Sequence, residues 1–162
     1  MVESLKRIEN TILKNNNQEI KNLTIDQECE EYFGADFQVN ELNVKFRKAK
    51  ITPKKIGQFV TLWKRNFKKQ TEPFNVNDNF DFYIIVTEQE NNFGFFLFPK
   101  QILSEKQILT NYQTEGKRGF RVYPDWVKTD NKQAEKTKSW QTKYFIDLTD
   151  EQNIEKFNSI IS

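Results

Sequence analysis

The chain has 162 residues, with 25 Lys and Arg against 23 Asp and Glu, 15 Phe, one Met, one Cys and no His. That is the length of one domain with enough aromatic side chains for a core, so a disordered chain is excluded. The missing histidines exclude His-based acid–base chemistry and Ser-His or Cys-His dyads, and with Cys29 alone a structural zinc site is excluded too. No apolar run reaches the ~18 residues of a membrane helix, and Met1–Arg7 lacks an apolar secretory segment. A lone cysteine cannot form an internal disulfide, so the expected compartment is the reducing cytoplasm.

Ser4 to Lys14 reads as an amphipathic helix. Leu5, Ile8, Ile12 and Leu13 share one face, Ser4 is placed to cap it, and Asn15-Asn16-Asn17 ends it. Glu19 to Glu31 is acidic and weakly periodic, and reads as a short helix near Ile20 and Leu23 before Gly34 breaks the chain. Asp36–Asn40 and Leu42–Ile51 alternate as strands, Thr52-Pro53 turns, and Gln58–Arg65 is a further strand. Phe80–Thr87 is apolar on both sides, as a central strand buried on two faces must be. Glu88–Asn92 turns, and Phe93–Phe98 returns as a hairpin.

Pro99 opens a helix to about Leu109, and Phe120–Tyr123 is a short strand stopped by Pro124. Asn131–Phe145 reads as helical, with Ala134, Trp140, Tyr144 and Phe145 inward. Thr149 with Gln152 makes a capping box for a last helix bearing Ile154, Phe157, Ile160 and Ile161. No repeat or linker divides the chain. The expectation is one α+β or three-layer domain over residues 1–162.

Charge is segregated along this order. Between Lys45 and Lys69 lie ten basic residues and no acid. Residues 1–41 hold nine acids against four bases, residues 72–92 five acids and no base, and residues 100–143 ten bases against five acids. Lysine runs usually solvate a surface, but an acid-free block interleaved with Phe46, Phe59 and Trp63 suits a polyanion. With adjacent strands, Arg47, Lys64 and Lys50 project from one sheet, the turn adds Lys54 and Lys55, and Arg65 extends the patch. Trp63 is either core or a platform on which a base stacks.

A second basic element is Gly116-Lys117-Arg118-Gly119-Phe120-Arg121-Val122-Tyr123-Pro124-Asp125-Trp126. Its glycines allow close approach to a ligand backbone, Lys117, Arg118 and Arg121 supply charge, and Tyr123 and Trp126 supply rings. A third is the helix bearing Lys132, Lys136 and Lys143.

The chain resembles the MepB-like family, small bacterial proteins often encoded beside multidrug-efflux genes. The likeness rests on EYFGADF (31–37), FRKAKITPKKIGQFVTLWKR (46–65), Pro73-Phe74, FGFFLFPK (93–100), GKRGFRVYPDW (116–126) and KQAEKTKSWQ (132–141), and covers about residues 28–148. The resemblance implies a mixed central β-sheet flanked by helices, with the restriction-endonuclease-like core of the PD-(D/E)xK superfamily, and nucleic-acid binding without clear cleavage. In active members of that superfamily an Asp and a D/E-x-K triplet hold a divalent metal. Here Asp81 matches the first, but the triplet ending at Lys100 is Phe98-Pro99-Lys100, so a carboxylate is replaced by a ring. Glu88 is the remaining candidate for a second ligand.

Three functions remain open at this level. The first is a non-catalytic nucleic-acid-binding protein favouring single-stranded DNA or RNA, since no groove-reading helix motif is present. The second is a Mg- or Mn-dependent nuclease using Asp81, Glu88 and Lys100. The third is a regulatory module whose basic patch binds an acidic protein. The sequence implies no cofactor, no resident metal and no membrane partner.

Overall fold

The computed structural model describes residues 1–149 and 153–162. Its centre is a six-stranded sheet of β1 (Lys21–Ile25), β2 (Ala35–Val39), β3 (Leu42–Lys48), β8 (Phe82–Gln89), β9 (Asn92–Pro99) and β11 (Phe145–Asp147), in that spatial order. Every neighbour is antiparallel except β3 and β8, which run parallel. A parallel pair needs a crossover rather than a hairpin. Residues 49–81 provide it and carry β4 (Lys50–Ile51), β5 (Gln58–Thr61), β6 (Trp63–Arg65) and β7 (Thr71–Pro73). With β10 (Gly119–Val122) these form two small sheets, β10-β5-β4 and the β6-β7 hairpin.

The alternation of the central strands builds two cores. Phe82, Ile84 and Val86 of β8, with Phe93, Phe95 and Leu97 of β9, face Leu5, Ile8, Ile12, Leu13 and Phe157 from the terminal helices. Tyr83, Ile85, Phe96 and Phe98 face the other way, against Val60, Leu62, Phe120, Val122, Leu103 and Leu109. Both faces are thus covered, which is why these strands read as nearly continuous apolar runs. The expected α+β single domain with a mixed central sheet is the architecture observed. The second core carries the small sheets, α2 (Lys100–Glu105) and α3 (Lys132–Gln141), and these position the site.

Several elements differ from expectation. The first helix, α1 (Glu3–Ile8), runs on through a π turn (Glu9–Leu13) and a 3-10 turn (Lys14–Asn16) to Asn17 at φ +56°. Ser4 is not its cap; Val2 holds that position and Ser4 is buried. The segment around Leu23 is strand β1 rather than helix, because edge pairing with β2 overrides its weak periodicity. The true local helix is a 3-10 stretch, Gln27–Tyr32, where the Asp26 carboxylate accepts from the Glu28 N–H.

The strand expected over 42–51 divides at Ala49, whose N–H donates to the Val86 carbonyl. The one expected over 58–65 divides at Leu62, whose N–H turns to the Arg118 carbonyl. Finally, helix α3 stops at Gln141, and Phe145 and Ile146 form β11 instead, one side chain in each core. Thr149 accepts from the Phe93 N–H through its hydroxyl; Gln152, its expected partner in a capping box, lies outside the described residues. The last helix is α4 (Ile154–Ile161).

Candidate nucleic-acid interface

The strand-borne bases of the 45–69 block do not make the expected patch. Because β3 sits in the large sheet and β6 in a separate hairpin, Arg47, Lys50 and Lys64 do not project from one sheet. Each base on these strands instead meets an acid. Lys45 pairs with Asp36 at 3.1 Å, Lys48 with Glu88 at 3.0 Å, Lys50 with Glu31 at 3.5 Å, Lys64 with Asp78 at 2.7 Å, and Arg65 with Glu28 at 3.0 Å.

Arg47 is a correction outright, since it is fully buried and touches no solvent. Its Nη2 donates to Asp26 at 2.8 Å and its Nη1 to the Phe46 carbonyl at 2.8 Å, while its Nε has no partner. Burial disfavours its charge, but Tyr83, Cys29, Asp26 and Asp36 around it more than offset that and hold its pKa above the usual arginine value. This guanidinium ties the 3-10 stretch to β3 and is structural.

Five unpaired bases surround a cleft of about 580 Å³ between the 52–57 turn, β10, the end of α2 and one face of α3. Lys54, Lys55, Lys106, Lys117 and Arg121 line it, with Asp130 the one acid of its lining, and among the described residues none of the five has an acidic partner within 4 Å. Trp140 forms a half-buried aromatic wall, its ring tilted against Phe98 at 5.4 Å between centroids and the Lys106 ammonium 5.5 Å from its centroid.

The cleft is braced rather than loose. Arg121 donates to the Ile56 carbonyl at 3.2 Å and to the Thr52 hydroxyl, which fixes the turn that carries Lys54 and Lys55. Gly57 ends that turn at φ +83°, where a Cβ would strike the Tyr123 ring at 2.7 Å. Gln141 is fully buried. It accepts from the Tyr123 N–H and donates to the Arg121 carbonyl, both at 2.9 Å, and so closes the open edge of β10 against α3.

Of the expected contacts, Lys54, Lys55, Lys117, Arg121 and Tyr123 thus converge on one cleft, although Tyr123 is 9% exposed and serves as wall more than as platform. Arg118 turns the other way, bonding the Thr71 carbonyl and pairing with Glu115 at 3.4 Å. Lys132 and Lys136 are exposed but do not line the cleft, to which α3 and its cap contribute Asn131, Gln133, Ala134, Thr137, Trp140 and Gln141. Trp126 is not a free platform: it bonds Gln89 at 3.2 Å and packs edge-on to Phe145. Trp63 lies half-buried under the Arg65 guanidinium. Gly116 and Gly119 are required by packing, since a Cβ would fall 2.3 Å from the Ile108 carbonyl oxygen and 2.5 Å from the Phe59 ring. Sequence reading missed Lys106, Trp140 and Gln141.

The nuclease remnant assembles only in part: the Lys100 N–H donates to the Asp81 carbonyl at 3.0 Å, which sets these two residues side by side, but Glu88 is remote. Asp81 precedes β8 and Glu88 lies near its far end, a separation of about 23 Å at roughly 3.3 Å per residue. The Asp81 carboxylate accepts from the Asn43 N–H at 2.8 Å, Glu88 is spent on Lys48, and the Lys100 ammonium bonds the Asp78 carbonyl. Phe98, where a carboxylate would sit, is fully buried and stacks on Phe96 at 5.2 Å. Among the described residues no three His, Cys, Asp or Glu side chains group as metal ligands, and no helix is long and apolar enough to cross a membrane.

Comparison with known proteins places these features in a family. The sequence pattern of the MepB-like family matches residues 26–147. The crystal structure of MepB is similar over 93% of this chain and 99% of that one, at 35% identity and a TM-score of 0.81. A bacterial homing endonuclease is similar over 98% of this chain and 93% of that one, at 13% identity and a TM-score of 0.46. No match is found among curated proteins.

Proposed function

The chain belongs to the MepB-like family, and from that premise we propose that it is a non-catalytic nucleic-acid-binding protein whose cleft holds the phosphate backbone of a single strand. The observation that supports this reading is the contrast in pairing. Lys54, Lys55, Lys106, Lys117 and Arg121 surround one cleft without acidic partners, whereas the bases on β3, β4 and β6 are neutralised. Unpaired cations in a concave site attract a polyanion and release its counterions. The cleft volume falls within the ~300–1,000 Å³ of ordinary ligand sites. The half-buried Trp140 ring in the cleft wall offers a base an aromatic contact beside the Lys106 ammonium. Non-catalytic binding is supported by the separation of Asp81 from Glu88 and by the burial of Phe98, because metal-assisted hydrolysis needs clustered carboxylates.

The test is a salt titration of binding to labelled single-stranded DNA and RNA. If five phosphates are met, the log–log slope is about −3.5, taking ~0.7 per contact. A flat salt response sinks the electrostatic reading. Substrates recovered intact after long incubation with Mg²⁺ or Mn²⁺ keep the non-catalytic reading; cleavage that disappears in Asp81→Ala ends it.

A further inference from the structure

The β6-β7 hairpin ends in the turn Asn66-Phe67-Lys68-Lys69, and Phe67 is 93% exposed. A bare aromatic side chain usually sits on a mobile loop, but this turn is stapled. The Asn66 carboxamide oxygen accepts from the Lys68 N–H at 2.9 Å and the Gln70 N–H at 3.1 Å. The Asn66 N–H donates to the Gln70 carbonyl and the Lys69 N–H to the Asn66 carbonyl, both at 2.9 Å. Arg65 donates to the Lys69 carbonyl at 3.1 Å, and its own guanidinium is held over Trp63 and against Glu28. Lys69 takes φ +63° to complete the turn. The result is a fixed tip with an apolar ring at its end and two lysines beside it. Among the described residues, neither Lys68 nor Lys69 has an acid within 4 Å.

The tip is joined to the cleft rim through one residue. Arg118, next to the cleft residue Lys117, donates to the Thr71 hydroxyl and carbonyl on β7. A ring with flanking ammonium groups, adjoining a basic cleft, matches the stacking-plus-phosphate pattern of single-strand binding. Tyr112 gives an internal contrast. It is 94% exposed on a loop held by Asn111, yet its near neighbours are Gln113, Thr114 and Glu115, with no lysine among them.

Resting on the cleft reading above, we propose that Phe67 is a second, outer contact for the same strand, stacking on a base while Lys68 and Lys69 meet its phosphates. The strand path then runs from the cleft past Lys117 to the hairpin tip, and needs more nucleotides than the cleft alone.

The test measures the affinity of wild type, Phe67→Ala, Phe67→Trp, Tyr112→Ala and the double variant Lys54→Glu/Lys55→Glu for a tetranucleotide and a 20-nucleotide homopolymer, with anionic phospholipid vesicles as a separate ligand. Phe67→Ala is expected to weaken the 20-mer by about 5- to 150-fold. It is expected to leave the tetranucleotide unchanged, while Phe67→Trp restores binding and Tyr112→Ala matches wild type. If Phe67→Ala binds the 20-mer as wild type does while the lysine double variant loses it, the hairpin contact is overturned and the cleft reading stands. If neither oligonucleotide binds any variant, both fall. If wild type binds vesicles and Phe67→Ala does not, with the 20-mer unaffected, the tip is a membrane contact and the inference is overturned. Equal losses in Phe67→Ala and Tyr112→Ala overturn it as well.

Discussion

The bases on β3, β4 and β6 and the bases around the cleft are the same residue types, but different groups face them. The strand bases meet Asp26, Glu28, Glu31 and Asp36 from the acidic first 41 residues, and Asp78 and Glu88 from the acidic stretch 72–92. Charge segregation in the sequence therefore serves contact between segments, joining the basic block to the acidic stretches on either side of it. The cleft bases come partly from the one basic stretch without such a complement, residues 100–143, and partly from the exposed 52–57 turn. A run of like charge stays unpaired only where the fold withholds the opposite run.

That contrast can be broken in order of effect. The largest effect is expected from Asp26→Ala, which strands a fully buried guanidinium. The cost is about 3–5 kcal/mol in urea unfolding, with oligonucleotide affinity unchanged in the fraction still folded. A loss of affinity without loss of stability would return Arg47 to the interface. Next comes Lys54→Glu/Lys55→Glu, where affinity for a single strand should fall roughly a hundredfold at low salt and the salt slope should flatten. Its thermal midpoint should hardly move, because the turn is exposed.

Gln141→Leu should cost about 1–3 kcal/mol of stability, since the Tyr123 N–H and Arg121 carbonyl lose their partner at a buried edge. It tests whether the cleft wall depends on that clamp. Calorimetry with parallel binding assays reads both effects.

Tyr83 sharpens the pH side of the comparison. Burial, its main cause, pushes the Tyr83 hydroxyl well above the usual tyrosine pKa, and the Tyr83 hydroxyl donates to the Thr61 carbonyl at 2.7 Å. A folded-state pKa above the unfolded one gives stability that is fully present below about pH 10 and is lost as pH rises beyond it. Tyr83→Phe should cost about 1 kcal/mol near neutrality and flatten that alkaline loss, measured as unfolding free energy against pH. Smallest of all, Lys50→Ala removes an exposed pair with Glu31. It should shift stability by less than about 0.5 kcal/mol and leave binding untouched.

The sequence made the central sheet legible because Phe82–Val86 and Phe93–Phe98 are apolar on both sides, and only a doubly covered strand needs that. It also placed Lys54, Lys55, Lys117 and Arg121 correctly in exposed turns and on β10. It failed where one tertiary bond decided the outcome. Strand β1 exists because β2 offers an edge, and Phe145–Ile146 leaves the helix because β9 has an open partner position. Arg47 carries no mark in the sequence that separates it from Lys45 or Lys48; its burial follows from Asp26, 21 positions away. Trp140 looked like core because its helical spacing is that of a core residue, and half of it is.

The crossover between the parallel strands β3 and β8 has a consequence for how such a chain can diversify. Residues 49–81 carry Lys54, Lys55 and the whole hairpin, yet they contribute no strand to the six-stranded sheet. The scaffold is therefore specified by one set of positions and much of the proposed recognition surface by another, carried as a single segment. Drift inside the segment is filtered by its anchors to the scaffold, among them Ala49 on Val86, Thr61 on Tyr83 and the side chains of Val60, Leu62, Phe74 and Phe80 in the second core. A lineage can thus rewrite what the surface recognises while inheriting the same sheet, and sequence divergence should concentrate in the 52–57 and 66–70 turns before it reaches β8 or β9.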